Sequence, residues 1–127
     1  MSKLTQPQPT HTGATSPGVV TILEFELPKI SLNEWYAGTH WTKRTKIKDT
    51  YRLLIAAKTH QTFTAPCHVE YRFTFRSRPL DCSNAVAMVK MIEDCIFPDD
   101  SYKVVRSIKI SSDKGKQDGV TVVVRNE

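Results

Sequence analysis

The run RPLDCSNAVAMVKMIEDCIFPDDS, residues 78 to 101, holds the side chains best suited to chemistry: Asp81, Asn84, Lys90, Asp94 and the pair Asp99-Asp100. Hard divalent ions such as Mg²⁺ take carboxylate and amide oxygens, one or two per ion, with water and phosphate completing the shell. An ion held so activates water and screens charge on a phosphodiester, and a nearby lysine offsets the negative phosphoryl group in the transition state. A plainer account is available from the same residues. Asp81 or Ser83 suits the N-cap of a following helix, and Asp99 and Asp100, after Pro98, suit a turn.

The elements that must position these groups follow from hydrophobic spacing. Leu23, Phe25 and Leu27 alternate with Glu24 and Glu26, predicting a half-buried strand stopped by Pro28. Residues 29 to 41 read as a loop carrying Trp35, Tyr36 and Trp41. Ile47, Tyr51, Leu54 and Ile55 recur at helical spacing, predicting a helix over 42 to 60 with Thr42 as its N-cap. Val69, Tyr71, Phe73 and Phe75 alternate with polar residues and predict a strand. A second helix over 83 to 96 has the stripe Met88, Met91, Ile92 and Cys95 and ends at Pro98. Strands are expected over 103 to 110 and 120 to 125, and the polar segment SSDKGKQDG between them favours a hairpin. The expected architecture is α/β (α+β): a small mixed sheet with two helices, in the order β-α-β-α-β-β.

Length and composition bound the rest. The 127 residues make one domain, with 39% hydrophobic and 24% charged residues, an ordinary globular balance. Residues 1 to 18, with three prolines and no hydrophobic period, read as a flexible tail ahead of a single domain over 19 to 127. No apolar run approaches the ~20 residues of a membrane span, and the tail has no apolar core of a secretory signal. Cys67, Cys82 and Cys95 form no CxxC pair and read as buried thiols in a reducing cytoplasm. Residues 29 to 60 carry Lys29, Lys43, Arg44, Lys46, Lys48, Arg52 and Lys58 against Glu34 and Asp49, whereas 81 to 100 carry five acids against Lys90. Basic and acidic segments of this kind suit a protein that holds a polyanion and places metal ions against it, or two ordinary solvated faces.

The pattern Asp81-x-x-Asn84, Lys90-x-x-Glu93-Asp94 and Asp99-Asp100-Ser101 resembles the RusA family of crossover junction endodeoxyribonucleases, small enzymes mostly of phage or prophage origin. The upstream SLNEWYAGTHW and the Lys/Arg-rich helix after it are similar to the start of that family, so the resemblance spans about residues 22 to 125. It implies a homodimer, in a bacterial cytoplasm, that nicks four-way DNA junctions symmetrically with Mg²⁺, Mn²⁺ substituting. Asp81 matches the family's first acid and Asn84 the asparagine closing that motif. Asp99 and Asp100 match its C-terminal acidic pair, and Asp94 an aspartate near the helix end. On this reading Asp81, Asp94, Asp99 and Asp100 are the metal ligands, and Asp81, Asn84, Lys90 and Asp100 carry the reaction. Trp41, Lys43, Arg44, Lys46, Lys48 and Arg52 face DNA, and Trp35, Tyr36 and Trp41 are candidates to stack on unpaired bases.

Two departures from the family pattern stand out. Ser83 occupies the place of the middle acid in Asp-x-Asp-Asn, and Lys90 lies six residues after Asn84 rather than three. A helix from 84 to 96 also puts Asp94 about 15 Å along its axis from Asn84, so Asp81 and Asp94 cannot share one ion in one chain. Asp99 and Asp100 reach Asp81 only if residues 95 to 98 double back, or across a dimer interface.

Overall fold

The computed structural model describes residues 16 to 36 and 41 to 127. The expected tail, up to residue 15, and residues 37 to 40 of the expected loop lie outside the described residues. The elements are β1 (Val20–Phe25), α1 (Leu32–Tyr36), α2 (Trp41–Ala56), β2 (Cys67–Phe75), α3 (Val86–Ile96), β3 (Val105–Lys114) and β4 (Gly119–Asn126). The chain is therefore a small mixed α/β domain of four strands and three helices, which corrects the expected two-helix order β-α-β-α-β-β. The extra helix is α1, inside the segment read as a loop. Its start is a reciprocal capping box: the Glu34 N–H donates to Ser31 Oγ at 3.0 Å, and the Ser31 N–H donates to Glu34 Oε1 at 3.2 Å. Among the described residues no helix is long and apolar enough to cross a membrane.

β2 carries the core. Cys67, Val69, Tyr71, Phe73 and Phe75 alternate inward and are almost wholly buried, with the Tyr71, Phe73 and Phe75 rings stacked at 6.4 and 6.0 Å. Such period-two burial is what a sheet with one covered face requires. α3 supplies the cover with Met88, Val89, Ile92 and Ile96, and α1 and α2 contact α3 in turn. From α2 only Tyr51 and Ile55 are buried, and the Tyr51 hydroxyl donates to the Pro28 carbonyl, tying the helix to the segment after β1. The opposite sheet face is mixed, with His68 bonded to Ser107 and Arg72 to Glu70 beside exposed Val20 and Ile22 of β1.

The sheet order is β1-β4-β2-β3, with β2 and β3 parallel and the other pairs antiparallel. The hairpin expected between the last two strands is therefore absent, because β2 lies between them. The strand sequences account for this. Val120, Val122, Val123 and Val124 of β4 are all buried, as an interior strand needs, whereas β3 has an exposed, charged pattern that suits an edge. The β3–β4 link instead crosses the end of β2. There the Gly115 N–H donates to the Phe75 carbonyl at 2.9 Å, and the Arg76 N–H donates to Asp118 Oδ1 at 2.9 Å.

Two further expectations change at the helix starts. Thr42 lies inside α2 rather than at its N-cap, and α3 begins only at Val86, with Ala85 before it making no side-chain cap bond. Neither Asp81 nor Ser83 caps α3. Of the cysteines only Cys67 is buried; Cys82 is exposed and Cys95 half-buried.

The tight crossing gives a test. A Cβ at Gly119 would sit 2.6 Å from the Phe25 carbonyl oxygen, a backbone atom that cannot swing aside. Gly119→Ala is expected to lower stability by about 1 to 3 kcal/mol through this overpacking, measured by urea unfolding; an unchanged midpoint would show that β1 and β4 lie farther apart.

Candidate functional site

α3 separates the two halves of the acidic run. Ahead of it, residues 81 to 85 form turns in which the Asp81 carbonyl accepts the N–H groups of Asn84 at 2.8 Å and Ala85 at 3.1 Å. The Asn84 carbonyl accepts the Leu32 N–H at 2.8 Å, so its backbone docks α1 against the start of α3. The Asp81 carboxyl and Ser83 are exposed at this end. An eleven-residue helix is about 16 Å long, and Asp99 and Asp100 lie beyond its other end. After the helix, Phe97 is buried, lies tilted against the Phe63 ring at 5.8 Å between centroids, and donates its N–H to the Glu93 carbonyl at 2.9 Å.

Asp99 behaves as a turn residue. Its Oδ1 accepts the Ser101 N–H at 2.9 Å, and these bonds to Ser101 hold its carboxyl below the usual range. Asp81 precedes α3 in the chain and the Asp99-Asp100 pair follows it. Among the described residues no group of three His, Cys, Asp or Glu is placed to hold a metal ion.

A carboxylate outside the expected set stands out instead. Glu93 is only 5% exposed, and its pKa is pushed up to about 7, first by burial and then by the negative charge of Asp100, with Lys90 acting in the opposite sense. The Tyr71 hydroxyl, fully buried beneath α3 and within the field of Glu93 and Asp100, has no hydrogen-bond partner among the described residues. The sequence did hold a signal for Glu93. It falls four residues after Val89 and three before Ile96, inside the buried stripe of the helix, where a carboxylate is costly.

The basic residues gather on the other side of α3. Lys43, Lys46, Lys48 and Arg52 are exposed along α2, Arg44 is half-buried, and Trp41 at the helix start is 64% exposed. Arg52 pairs with Asp49 at 2.8 Å, an exposed contact of small energetic value. Lys43, Lys46, Lys48 and Lys90 form no ion pair among the described residues. A groove of about 300 Å³ opens between α1, α2 and α3, bringing Lys90 and Asp94 of α3 together with Lys48 of α2 and Trp35 and Tyr36 of α1. Lys48 Nζ sits 5.9 Å from the centre of the Trp35 ring. On the far side of Asp94 a second hollow of about 250 Å³ is lined by Arg52, His60 and Cys95. Of the expected α3 residues, Lys90 thus meets Lys48 of α2, and Asp94 meets both Lys48 and Arg52.

Comparison with known proteins gives no match to a family model, to a curated protein or to a solved structure.

The buried carboxyl predicts a pH dependence. Raising its pKa from 4.5 to about 7 means the folded state holds a proton that the unfolded state has lost, so stability falls as pH rises through that window and is level above it. Glu93→Gln removes this slope. The variant is expected to exceed the wild type by up to about 2 to 3 kcal/mol above pH 7 and to lose the advantage near pH 4.5, read as melting temperature against pH. Parallel curves would place Glu93 in contact with water.

Proposed function

We propose that the protein is a structure-selective endodeoxyribonuclease of RusA type, a homodimer that resolves four-way DNA junctions with Mg²⁺, or Mn²⁺ in its place. In keeping with that resemblance, the proposed setting is a bacterial cytoplasm and a phage or prophage gene. The observation that carries the reading is the meeting of α2 and α3, where Lys48 and Arg52 flank Lys90 and Asp94. Cations carried along one exposed helix attract phosphates through release of their counterions, without regard to sequence. Trp41, Lys43, Arg44, Lys46, Lys48 and Arg52 form the DNA-facing surface in this proposal, and Lys90 lies where it can offset charge on a phosphate drawn to that surface.

The bound ion would supply an activated water and charge screening. Asp81 and Asp100 would hold it, with Glu93 behind Asp100. Asp94 lies one turn from Lys90, Asp99 shapes the turn that presents Asp100, and Asn84 fixes the turn that carries Asp81. A two-fold dimer fits the task, since paired nicks on a symmetric junction need two identical sites.

A second reading has its own observations. Ser83 stands where the family carries an acid, and three metal-ligating side chains do not come together among the described residues. Both favour a branched-DNA-binding module whose cleavage site has lapsed.

A labelled four-way junction, with Mg²⁺, Mn²⁺ or EDTA, separates the two. The nuclease reading expects paired symmetric nicks that disappear in EDTA and in Asp81→Asn and Asp100→Asn. Tight binding with no nicks in either metal would establish the lapsed module, and failure to bind the junction would end both readings. Salt dependence supplies an independent check. Replacing Lys46 and Lys43 by alanine is expected to flatten the plot of log K against log salt by roughly one unit per lysine, measured by fluorescence anisotropy; an unchanged slope would remove α2 from the phosphate contacts.

A further inference from the structure

The groove between α1, α2 and α3 has a chemistry that phosphate contacts alone do not explain. At about 300 Å³ it is at the small end of the range of ligand sites. Its floor is apolar, from Ala87 and Met91 of α3, and Trp35 forms a wall with one edge packed on the core. Tyr36, 70% exposed, stands at the lip. Lys48 and Lys90 reach the same space, against the single carboxylate of Asp94.

Each half of this lining excludes a simple occupant. An apolar floor and an indole wall offer nothing to a bare phosphate, which prefers N–H groups and water. Two lysines without an ion pair offer nothing to a purely apolar ligand, which would have to strip them of water. A flat aromatic ring joined to an anion satisfies both, with the ring against indole and the charge between two ammonium groups. Lys48 Nζ already lies over the Trp35 ring, 5.9 Å from its centroid, so the cation and the indole serve the same space, and a base entering against the indole meets the ammonium group at once.

Lys48 shares its face of α2 with Arg44 and Arg52, one turn before and one turn after it, so a strand whose phosphates follow those cations passes the mouth of the groove. Bases paired in a duplex are stacked on their neighbours and cannot enter. We propose that the groove captures one unpaired nucleotide of a DNA strand, its base stacked on Trp35 and its phosphate held between Lys48 and Lys90. The inference rests on the DNA-binding part of the reading above and is independent of whether the protein cleaves.

The chain has two tryptophans, so Trp41→Phe leaves Trp35 as the only indole and makes it a reporter of its own site. Titrating this protein with a short single-stranded oligothymidylate is expected to quench Trp35 emission to saturation. A blunt duplex of similar length is expected to bind, by anisotropy of a label, without that quench. Lys48→Ala and Lys90→Ala, both at exposed positions that leave the core intact, are each expected to weaken the oligothymidylate titration about three- to tenfold, the worth of one phosphate or stacking contact. Thymidine monophosphate is expected to quench only at far higher concentration, since it lacks the neighbouring phosphates.

Single strands that bind without quenching Trp35 would overturn the proposal while leaving the DNA-binding reading in place. So would equal quenching by duplex, or lysine variants that titrate like the parent. Quenching by the free nucleotide as strong as by the strand would assign the groove to a mononucleotide instead. Absence of any DNA binding would overturn this proposal and the reading it rests on together.

Discussion

Five alternate residues of β2, from Cys67 to Phe75, lose almost all contact with water, and covering this one face determines where the helices lie. Burying side chains of this size is worth roughly 1.5 to 3 kcal/mol each, so the face must be sealed by the most apolar helix available. That helix is α3, with seven buried residues in eleven. α2 is placed at second hand: it gives only Tyr51 and Ile55 to the core and is anchored by the Tyr51 hydroxyl on the Pro28 carbonyl. Burial and the charge of Asp118 raise the Tyr51 pKa, so this donor keeps its proton. A helix that owes so little to the core is free to carry cations over most of its surface, and this is why the basic residues concentrate there.

The opposite compromise appears in α3. A helix that seals a core should be uniformly apolar on its inner face, yet Glu93 interrupts the stripe and the Tyr71 hydroxyl beneath α3 is left unsatisfied. Both features work against stability. Lys29 shows that the fold can accommodate a half-buried charge when partners are at hand: its ammonium group donates to the Arg78 carbonyl and lies 5.5 Å from the Phe75 ring. Local violations of folding rules tend to cluster where a protein does its work. Glu93 and Tyr71 lie at the end of α3 that faces Asp100, away from the groove where Lys90 and Asp94 meet α2.

How much of this was legible beforehand depends on the range of the interaction involved. Alternation in β2 and the apolar spacing of α2 and α3 are local patterns, and the corresponding elements are present within a few residues of their expected limits. The Ser31–Glu34 box was equally local, but the aromatic residues behind it drew the segment into a loop. The β3–β4 link carried every mark of a hairpin turn. What overrode it was a competition between strands for the middle of the sheet, won by the four buried valines of β4, and a turn composition holds no information about that contest. The site divides in the same way. Lys90 and Asp94 share a groove because one turn of helix relates them. Asp81 and Asp100 lie on either side of α3 in the chain, and the length of that helix could be read from the sequence while the path after it could not.

β4 is the last element along the chain, yet it occupies an interior position in the sheet, between β1 and β2, pairing Val20 with Arg125 across nearly the whole described domain. Until those residues are available, β1 has no partner and β2 has an open side. A chain emerging from the ribosome can therefore assemble the β2-α3-β3 unit but cannot close its sheet until synthesis has passed β4. Non-local pairing of this kind is slow and leaves strand edges exposed while it is pending. The same arrangement means that residues through β4 have to be present before the sheet on which α3 packs is closed.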